Sequence, residues 1–363
     1  MNSTDTAWQL RLRRDDPATT QIHHVDIPEP GEGEALLRSS LASVTANTIA
    51  YAELGEDLHY WDFFPVDDSW GTVPMWGFAD VIASRSDDIE VGTRVFGFIP
   101  SASHFVIQPE VVGEGRFRDV KGARSVLPPS YSNYLTTTND RSYFPPDRED
   151  LQVVFRPLYI TSWALADSIL EQKFHDARVV VFSSASSKTA YGTALALSSS
   201  HDRPTLVGLT SEGNLEYVRK LGCYDQVHSY DKLDKLATDV PTLYVDFAGS
   251  IDLRTRMSDR LGGLLVRHVV VGLTHHQGVM TEDSAIDPAP AFWFAPDYLK
   301  RRGKELGPGG LHARFSADYR EALPTLAGWA QFEYASGPEG LQQTWHKVFS
   351  GTASPGSASV VSL

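Results

Sequence analysis

Hydrophobic and polar positions change rhythm along this chain. From about Arg156 onward, short continuous apolar runs alternate with amphipathic stretches. RVVVFSS (178–184), TLVGLT (205–210), PTLYVDFAG (241–249) and LVRHVVVGL (265–273) are rich in β-branched residues and too short for helices, so they predict buried strands. DQVHSY (225–230) predicts a further short strand. Between them, LYITSWALADSILEQ (158–172), TAYGTALALSSS (189–200) and SEGNLEYVRKLG (211–222) read as helices, the last with a serine start and a glycine stop. Alternating strands and helices with continuous apolar strands predict a parallel sheet covered by helices.

The first third has a different texture. Pro and Gly turn signals in IPEPGEGE precede an alternating segment, Ala35 to Val44, and further strand candidates lie at Ala79–Ala83, Arg94–Ile99 and HFVIQP (104–109). Short strands of mixed polarity separated by Gly or Asp predict a small, irregular β-barrel. The stretch from Val111 to Asp150, rich in Pro, Ser, Tyr, Thr and Asn, reads as a long surface insertion or binding loop. The tail from Phe315 returns to helix and ends in SASVVSL, a candidate strand closing back onto the first domain. A length of 363 residues accommodates two domains at about 150 residues each. The boundaries fall at 1–155 with 320–363 for the barrel and 156–319 for the parallel-sheet domain.

Charge and cysteine content narrow the partners. With 32 basic against 46 acidic residues the net charge is −14, which disfavours a nucleic-acid partner, because duplex affinity rests on neutralising phosphates. A single cysteine, Cys223, rules out an intrachain disulfide and a four-thiolate zinc site. The opening MNSTDTAWQLRLRRDD lacks a signal-type apolar core, and no run approaches the roughly 18 apolar residues of a membrane helix, so a soluble cytoplasmic protein without a membrane partner is expected.

The candidate chemistry begins at VVVFSSASSKTAYG (179–192), a strand, a small polar turn and a helix start. A first βα turn presents backbone amides and a helix N-terminus to a pyrophosphate, and glycine ordinarily lets the backbone approach closely. Here Ser183, Ser184, Ala185, Ser186 and Ser187 are small but are not glycine, and Lys188 and Thr189 follow. The alternative is a capped βα turn with a solvent-facing lysine. After the next strand come Thr210 and Ser211, where an NAD site usually has an acidic residue for the ribose hydroxyls; hydroxylic residues there favour NADPH over NADH. Equally, Thr210 and Ser211 can simply cap the following helix.

The order of these pieces resembles the medium-chain dehydrogenase/reductase superfamily, in its zinc-independent quinone-oxidoreductase and enoyl-reductase branch. PEPGEGEALLRSSLASV, FADVIASRSDDIEVGTRVFGF, PLYITSWAL, RKLGCYDQVHSYDK, LYVDFAG and LGGLLVRHVVVGL each resemble a segment of that family, in the family's order. FWFAPDYLKRRGKELGPGGL resembles a branch carried as a domain of unknown function, which shares the glycine-poor turn. The resemblance implies an α/β chain with a GroES-like β-barrel catalytic domain and a Rossmann doubly wound parallel-sheet domain. It places Ser183 to Thr189 at the pyrophosphate, Thr210 and Ser211 at the adenosine ribose phosphate, Tyr230 near the adenine end and Thr161 near the nicotinamide. Gly249, Val271, Gly272 and Leu273 would pass along the cofactor, and Asn214 stands where NADP-dependent relatives often carry lysine. Homodimers and tetramers are common in the superfamily.

The histidines His23, His24, His59 and His104 form no ligand pattern, and the adjacent His275 and His276 would point to opposite faces of a strand, so no metal is expected. Without metal, the implied chemistry is hydride delivery from NADPH to an activated C=C or a quinone, with protonation by a tyrosine. The aromatic loop after Asn47 (Tyr51, Tyr60, Trp61, Phe63, Phe64, Trp70, Trp76) suits a flat apolar or aromatic carbonyl substrate, and equally suits a packed core. Tyr51 is the first candidate proton donor and Tyr60 the second, with Asn47 orienting a carbonyl or the nicotinamide amide. A scaffold turned to non-redox chemistry and a nucleotide sensor without turnover are the rival readings.

Overall fold

A computed structural model of the chain describes residues 6–127, 129–138, 148–271, 288–307 and 309–363. They form two compact units: the residues up to Pro157 together with Ala330–Leu363, and Leu158–Trp329.

The first unit begins with strands β1 (Thr6–Arg13), β2 (Thr20–Asp26) and β3 (Ala35–Val44), the short helix α1 (Ala46–Glu53), and strands β4 (Trp70–Gly71), β5 (Pro74–Ser84) and β6 (Arg94–Pro100). It continues through β7 (His104–Ile107), β8 (Pro109–Gly113), β9 (Arg116–Asp119), α2 (Pro129–Ser132) and β10 (Asn133–Thr136). The segment from Val111 onward is therefore not one long loop in its described part: it completes a strand and adds two more, stitched antiparallel as β8–β9–β10 onto β6. The turn between β8 and β9 is made at Gly115, in the left-handed conformation at φ 61°. Phe117 of β9 shows what anchors it, stacking on Tyr134 of β10 at 5.3 Å.

Helix α3 (Glu149–Glu171) follows, starting earlier than the apolar pattern indicates. Glu149 and Asp150 in its first turn complement the positive end of the helix dipole. Glu149 also accepts from the Arg94 guanidinium of β6 at 2.7 Å.

The second unit is the expected alternation. Its elements are β11 (Val179–Phe182), α4 (Lys188–Ser198), β12 (Thr205–Thr210), α5 (Leu215–Leu221), β13 (Gln226–Ser229), β14 (Thr242–Asp246), α6 (Ile251–Leu261), β15 (Leu265–Val270), β16 (Ala291–Phe292), α7 (Ala295–Leu306) and α8 (Gly310–Trp329). Every pairing is parallel, in the order β13–β12–β11–β14–β15–β16. That order, with its reversal between β11 and β14, is the doubly wound Rossmann topology, and ligands of such sheets lie at the carboxyl ends of the strands beside the reversal. The central strands β11, β12 and β14 are buried on both faces, which is why they read as unbroken apolar runs: Val180, Val181 and Phe182 are inaccessible to solvent. Gly222 ends α5 in the left-handed conformation (φ 68°), the stop expected of it.

The chain then returns through β17 (Gln331–Ser336), α9 (Gly337–Phe349) and β18 (Ser357–Ser362). β18 pairs antiparallel with β3 and parallel with β17, so SASVVSL does close onto the first unit's sheet.

Candidate functional site

The bend between β11 and α4 lies at the carboxyl end of the first strand of the second unit, and its residues divide sharply by direction. Ser183 is fully buried. Its hydroxyl donates to Asp246 Oδ1 at 2.8 Å and accepts from the amides of Phe247 at 2.8 Å and Ala248 at 3.0 Å. Ala185 is fully buried too, its amide donating to the Leu209 carbonyl at 2.9 Å and its carbonyl accepting from the Tyr224 hydroxyl at 3.1 Å. Between them Ser184 takes φ 47°, a left-handed conformation that glycine adopts freely and other residues rarely. Its amide donates to the Tyr230 hydroxyl at 2.9 Å.

Of the expected pyrophosphate set, then, the side chains of Ser183 and Ala185 face the protein interior, and the amides of Ser183, Ser184 and Ala185 all have partners within the chain. Side-chain polarity alone could not reveal this, because a serine is small enough to serve either face. The second half of the bend is different. Ser187 caps α4, its hydroxyl accepting from the Ala190 amide at 3.3 Å. Lys188 is the first residue of the helix. Among the described residues, the amides of Ser186 and Thr189 have no hydrogen-bond partner.

Ser186 also joins the bend to the end of β12. Its hydroxyl accepts from Asn214 Nδ2 at 3.3 Å and stands 3.5 Å from the Thr210 hydroxyl. Thr210 is buried, so it braces Ser186, whereas Ser211 is exposed at the start of the turn that leads into α5. Gly208 of β12 makes this closeness possible: a Cβ there would sit 2.9 Å from Ala185 Cβ. Thr161 is half-buried on α3, and its neighbour Ser162 donates to the Thr189 carbonyl at 2.8 Å. Gly249 is buried at φ 69°, and the Val271 amide donates to the Asp246 carbonyl at 2.9 Å. Gly272 and Leu273, like His275 and His276, lie outside the described residues.

Beneath the bend lies a buried polar group that sequence reasoning did not single out. Asp246 Oδ2 accepts from Arg254 Nε at 2.6 Å, with the two side chains 0 % and 2 % exposed. Asp246 Oδ1 also accepts from the amides of Ala248 and Gly249 at 2.9 and 3.1 Å and from the Tyr244 hydroxyl at 3.3 Å. His268 of β15 packs its ring on Tyr244, centroids 4.8 Å apart, and neither ring nitrogen has a partner among the described residues. Burial pushes His268 down to about 4, keeping it neutral. The one available signal was a lone acidic or imidazole side chain inside each apolar run, in LYVDFAG and LVRHVVVGL.

In the first unit, the structure gathers the three residues expected to handle the substrate. Asn47 and Tyr51 lie on α1, and Asn47 Nδ2 donates to the Tyr51 hydroxyl at 2.6 Å. Trp76 Nε1 of β5 donates to the same oxygen at 3.0 Å. Among the described residues the Tyr51 hydroxyl therefore accepts twice and donates to none. Burial holds Tyr51 well above the usual phenol range, partly offset by those two donors, so it carries its proton at neutral pH. The Tyr60 ring is 4.6 Å from that of Tyr51, and its hydroxyl donates to Tyr131 at 3.1 Å. Other aromatics of the loop are packing residues: Trp61 is buried against Gly55 and Gly71, and Phe63 packs edge-on against Phe98. Among the described residues no three His, Cys, Asp or Glu side chains converge as a metal set would. Nor, among them, is any helix long and apolar enough to cross a membrane.

A family model described as "Protein of unknown function (DUF2855)" matches residues 42–354. The chain belongs to DUF2855. No curated protein matches this DUF2855 chain. Solved structures share its fold across nearly its whole length. CurA from Vibrio vulnificus in complex with NADPH is 15% identical, TM-score 0.59, over 94% of each chain. A putative NADPH:quinone reductase from Bacillus thuringiensis is 12% identical, TM-score 0.61, over 99% of this chain and 98% of that one. The CurK enoyl reductase is 13% identical, TM-score 0.57, over 99% of both. The chain thus shares the two-unit fold of these reductases, a β unit and a Rossmann unit.

Proposed function

We propose that this DUF2855 chain is a zinc-independent reductase that uses NADPH to reduce a small apolar or aromatic carbonyl compound, either at the activated C=C of an α,β-unsaturated carbonyl or as a quinone. The observation that carries the reading is the grouping around Ser186. Its hydroxyl accepts from Asn214, so its own proton is directed elsewhere, beside the unpartnered amides of Ser186 and Thr189 at the positive end of α4. Three donors and a helix dipole at the carboxyl end of β11 fit a diphosphate. Exposed Ser211, one residue past the strand end, supports this reading as a neutral donor for a ribose phosphate. Lys188 adds positive charge to the same helix start.

When bound, NADPH supplies the hydride. The chain's own contribution to the other half of the reaction is the Tyr51 hydroxyl. Among the described residues its proton is uncommitted, and an α,β-unsaturated carbonyl or quinone oxygen that becomes negative as hydride arrives needs such a donor. Asn47 and Trp76 both donate to the Tyr51 oxygen, which stabilises the phenolate once its proton has moved. The surrounding rings of Tyr60, Phe98 and Tyr131 exclude water and offer flat apolar surface.

The test is quenching of protein fluorescence by NADPH and then NADH, followed by absorbance decay with a panel of enones and quinones. Saturable NADPH binding with turnover on at least one acceptor upholds the proposal. Binding without turnover on any acceptor favours a sensor. One observation favours the rival scaffold without nucleotide: the amides of Ser183, Ser184 and Ala185 are already satisfied within the chain. Binding of neither nucleotide would favour that reading instead.

A further inference from the structure

We infer that Ser183, Asp246 and Arg254 form a clamp that does for this bend what glycine does in a glycine-rich one: it sets the path of the backbone, and so positions the amides of Ser186 and Thr189 for phosphate. This rests on the nucleotide reading above and adds to it the residues that make the site without touching the ligand.

Three features converge on the clamp. A glycine-free bend cannot rely on unrestricted backbone freedom, and here Ser184 is held at φ 47°, a conformation that the surroundings must impose. What imposes it sits on both sides of that residue. On one side, the Ser183 hydroxyl makes three bonds, to Asp246 Oδ1 and from the Phe247 and Ala248 amides, which tie the end of β11 to the turn after β14. On the other, the Ala185 amide is tied to β12 through the Leu209 carbonyl. Ser184 is thus pinned between two anchors on two neighbouring strands, and its amide is taken by Tyr230.

Asp246 is the hub. One carboxylate gathers Ser183, the Ala248 and Gly249 amides and the Tyr244 hydroxyl on one oxygen and Arg254 on the other. A carboxylate inaccessible to solvent needs hydrogen-bond partners on both oxygens, and Asp246 has them. Arg254, nearly as deeply buried on α6, supplies the compensating charge, and its Nη2 has no partner among the described residues. Arg254 therefore acts on the bend through Asp246 and Ser183. A hydroxyl at position 183 is something a glycine cannot provide, so the clamp is a device belonging to the serine-rich form of the bend.

The experiment measures NADPH dissociation constants and thermal unfolding midpoints for the intact chain and for Ser183→Ala, Arg254→Met and Arg254→Lys. The control is Leu261→Ala, a core variant on α6 outside the hydrogen-bonded group. Ser183→Ala is expected to weaken NADPH binding about tenfold, the scale of losing a buried hydrogen-bond partner. Arg254→Met should do the same or more, and Arg254→Lys should recover most of the affinity because it returns a charge to Asp246. Leu261→Ala should lower the unfolding midpoint yet keep the wild-type affinity. If Ser183→Ala binds as tightly as wild type, or Leu261→Ala weakens binding as much as Ser183→Ala, the clamp is refuted while the nucleotide site stands. Should wild type bind neither NADPH nor NADH, the nucleotide reading fails and the clamp fails with it.

Discussion

Asn47 and Tyr51 lie one helical turn apart on α1, and the amide nitrogen of the first donates to the hydroxyl oxygen of the second at 2.6 Å. With Trp76 as a second donor, this oxygen is saturated as an acceptor and left with one proton to give. Tyr51→Phe removes that proton and preserves the ring packing against Tyr60 and Phe98. Turnover on the best enone or quinone is expected to fall about a hundredfold, the scale of a lost general acid, with NADPH affinity unchanged. Full activity in the variant would remove Tyr51 from the chemistry.

Lys188 opens α4, where a positive side chain opposes the helix dipole unless an anion is near. Lys188→Ala should weaken NADPH binding about tenfold, as expected for one charge-assisted contact, and do so less at high salt. A titration showing equal affinity for variant and wild type would exclude Lys188 from the nucleotide site.

Gly208 is required by contact, not by backbone angle. A methyl group there meets Ala185 Cβ at 2.9 Å and the Tyr224 ring at 3.1 Å. Gly208→Ala should cost about 2 kcal/mol in urea unfolding, in the range of an overpacked core. Because Ala185 belongs to the bend, the same variant should bind NADPH more weakly. An unfolding midpoint equal to that of wild type would contradict the tight packing of β12 under the bend.

His268 gives a pH signature. Its folded value is depressed from 6.5 to about 4 by burial, with Asp246 pulling upward and Arg254 downward. Below pH 6.5 the unfolded chain takes up a proton that the native chain refuses, so this group's contribution lowers stability as pH falls from 6.5 towards 4 and then levels off. Carboxylates add their own losses at low pH, so the quantity to measure is the difference between wild type and His268→Leu. That difference should shift in favour of the variant across this window. A pH-independent difference would mean that His268 is charged, or solvated, in the native state.

Much of the fold is legible in the sequence, and for a physical reason. The second unit's central strands are covered on both faces, so VVVF, TLVGL and TLYV announce themselves without needing a period. The first unit is harder. β1 buries three of its eight residues and β2 none, so neither reads as an unbroken apolar run. The Val111–Asp150 stretch misleads because its strands β8, β9 and β10 are only five, four and four residues long. At the candidate site, Asn47, Tyr51 and Tyr60 are found together because apolar packing gathers aromatic residues. The bend is legible in position but not in orientation. Ser183 turns inward because Asp246 waits there, and nothing local to residues 183–189 encodes a carboxylate more than fifty residues downstream.

The pairing of β18 with β3, in which Ser43 donates to the Ser359 carbonyl, joins positions 316 residues apart. Translation delivers them in that order, so the Leu41–Val44 part of β3 stays open until β18 has emerged, whereas the second unit's described strands all come from residues 179–292. The Rossmann half can thus mature on the ribosome while the other half waits with an uncovered edge. Nascent chains arrested before residue 357 should engage chaperones through that edge, and lengthening or masking the final strand should disturb the first unit while sparing the second.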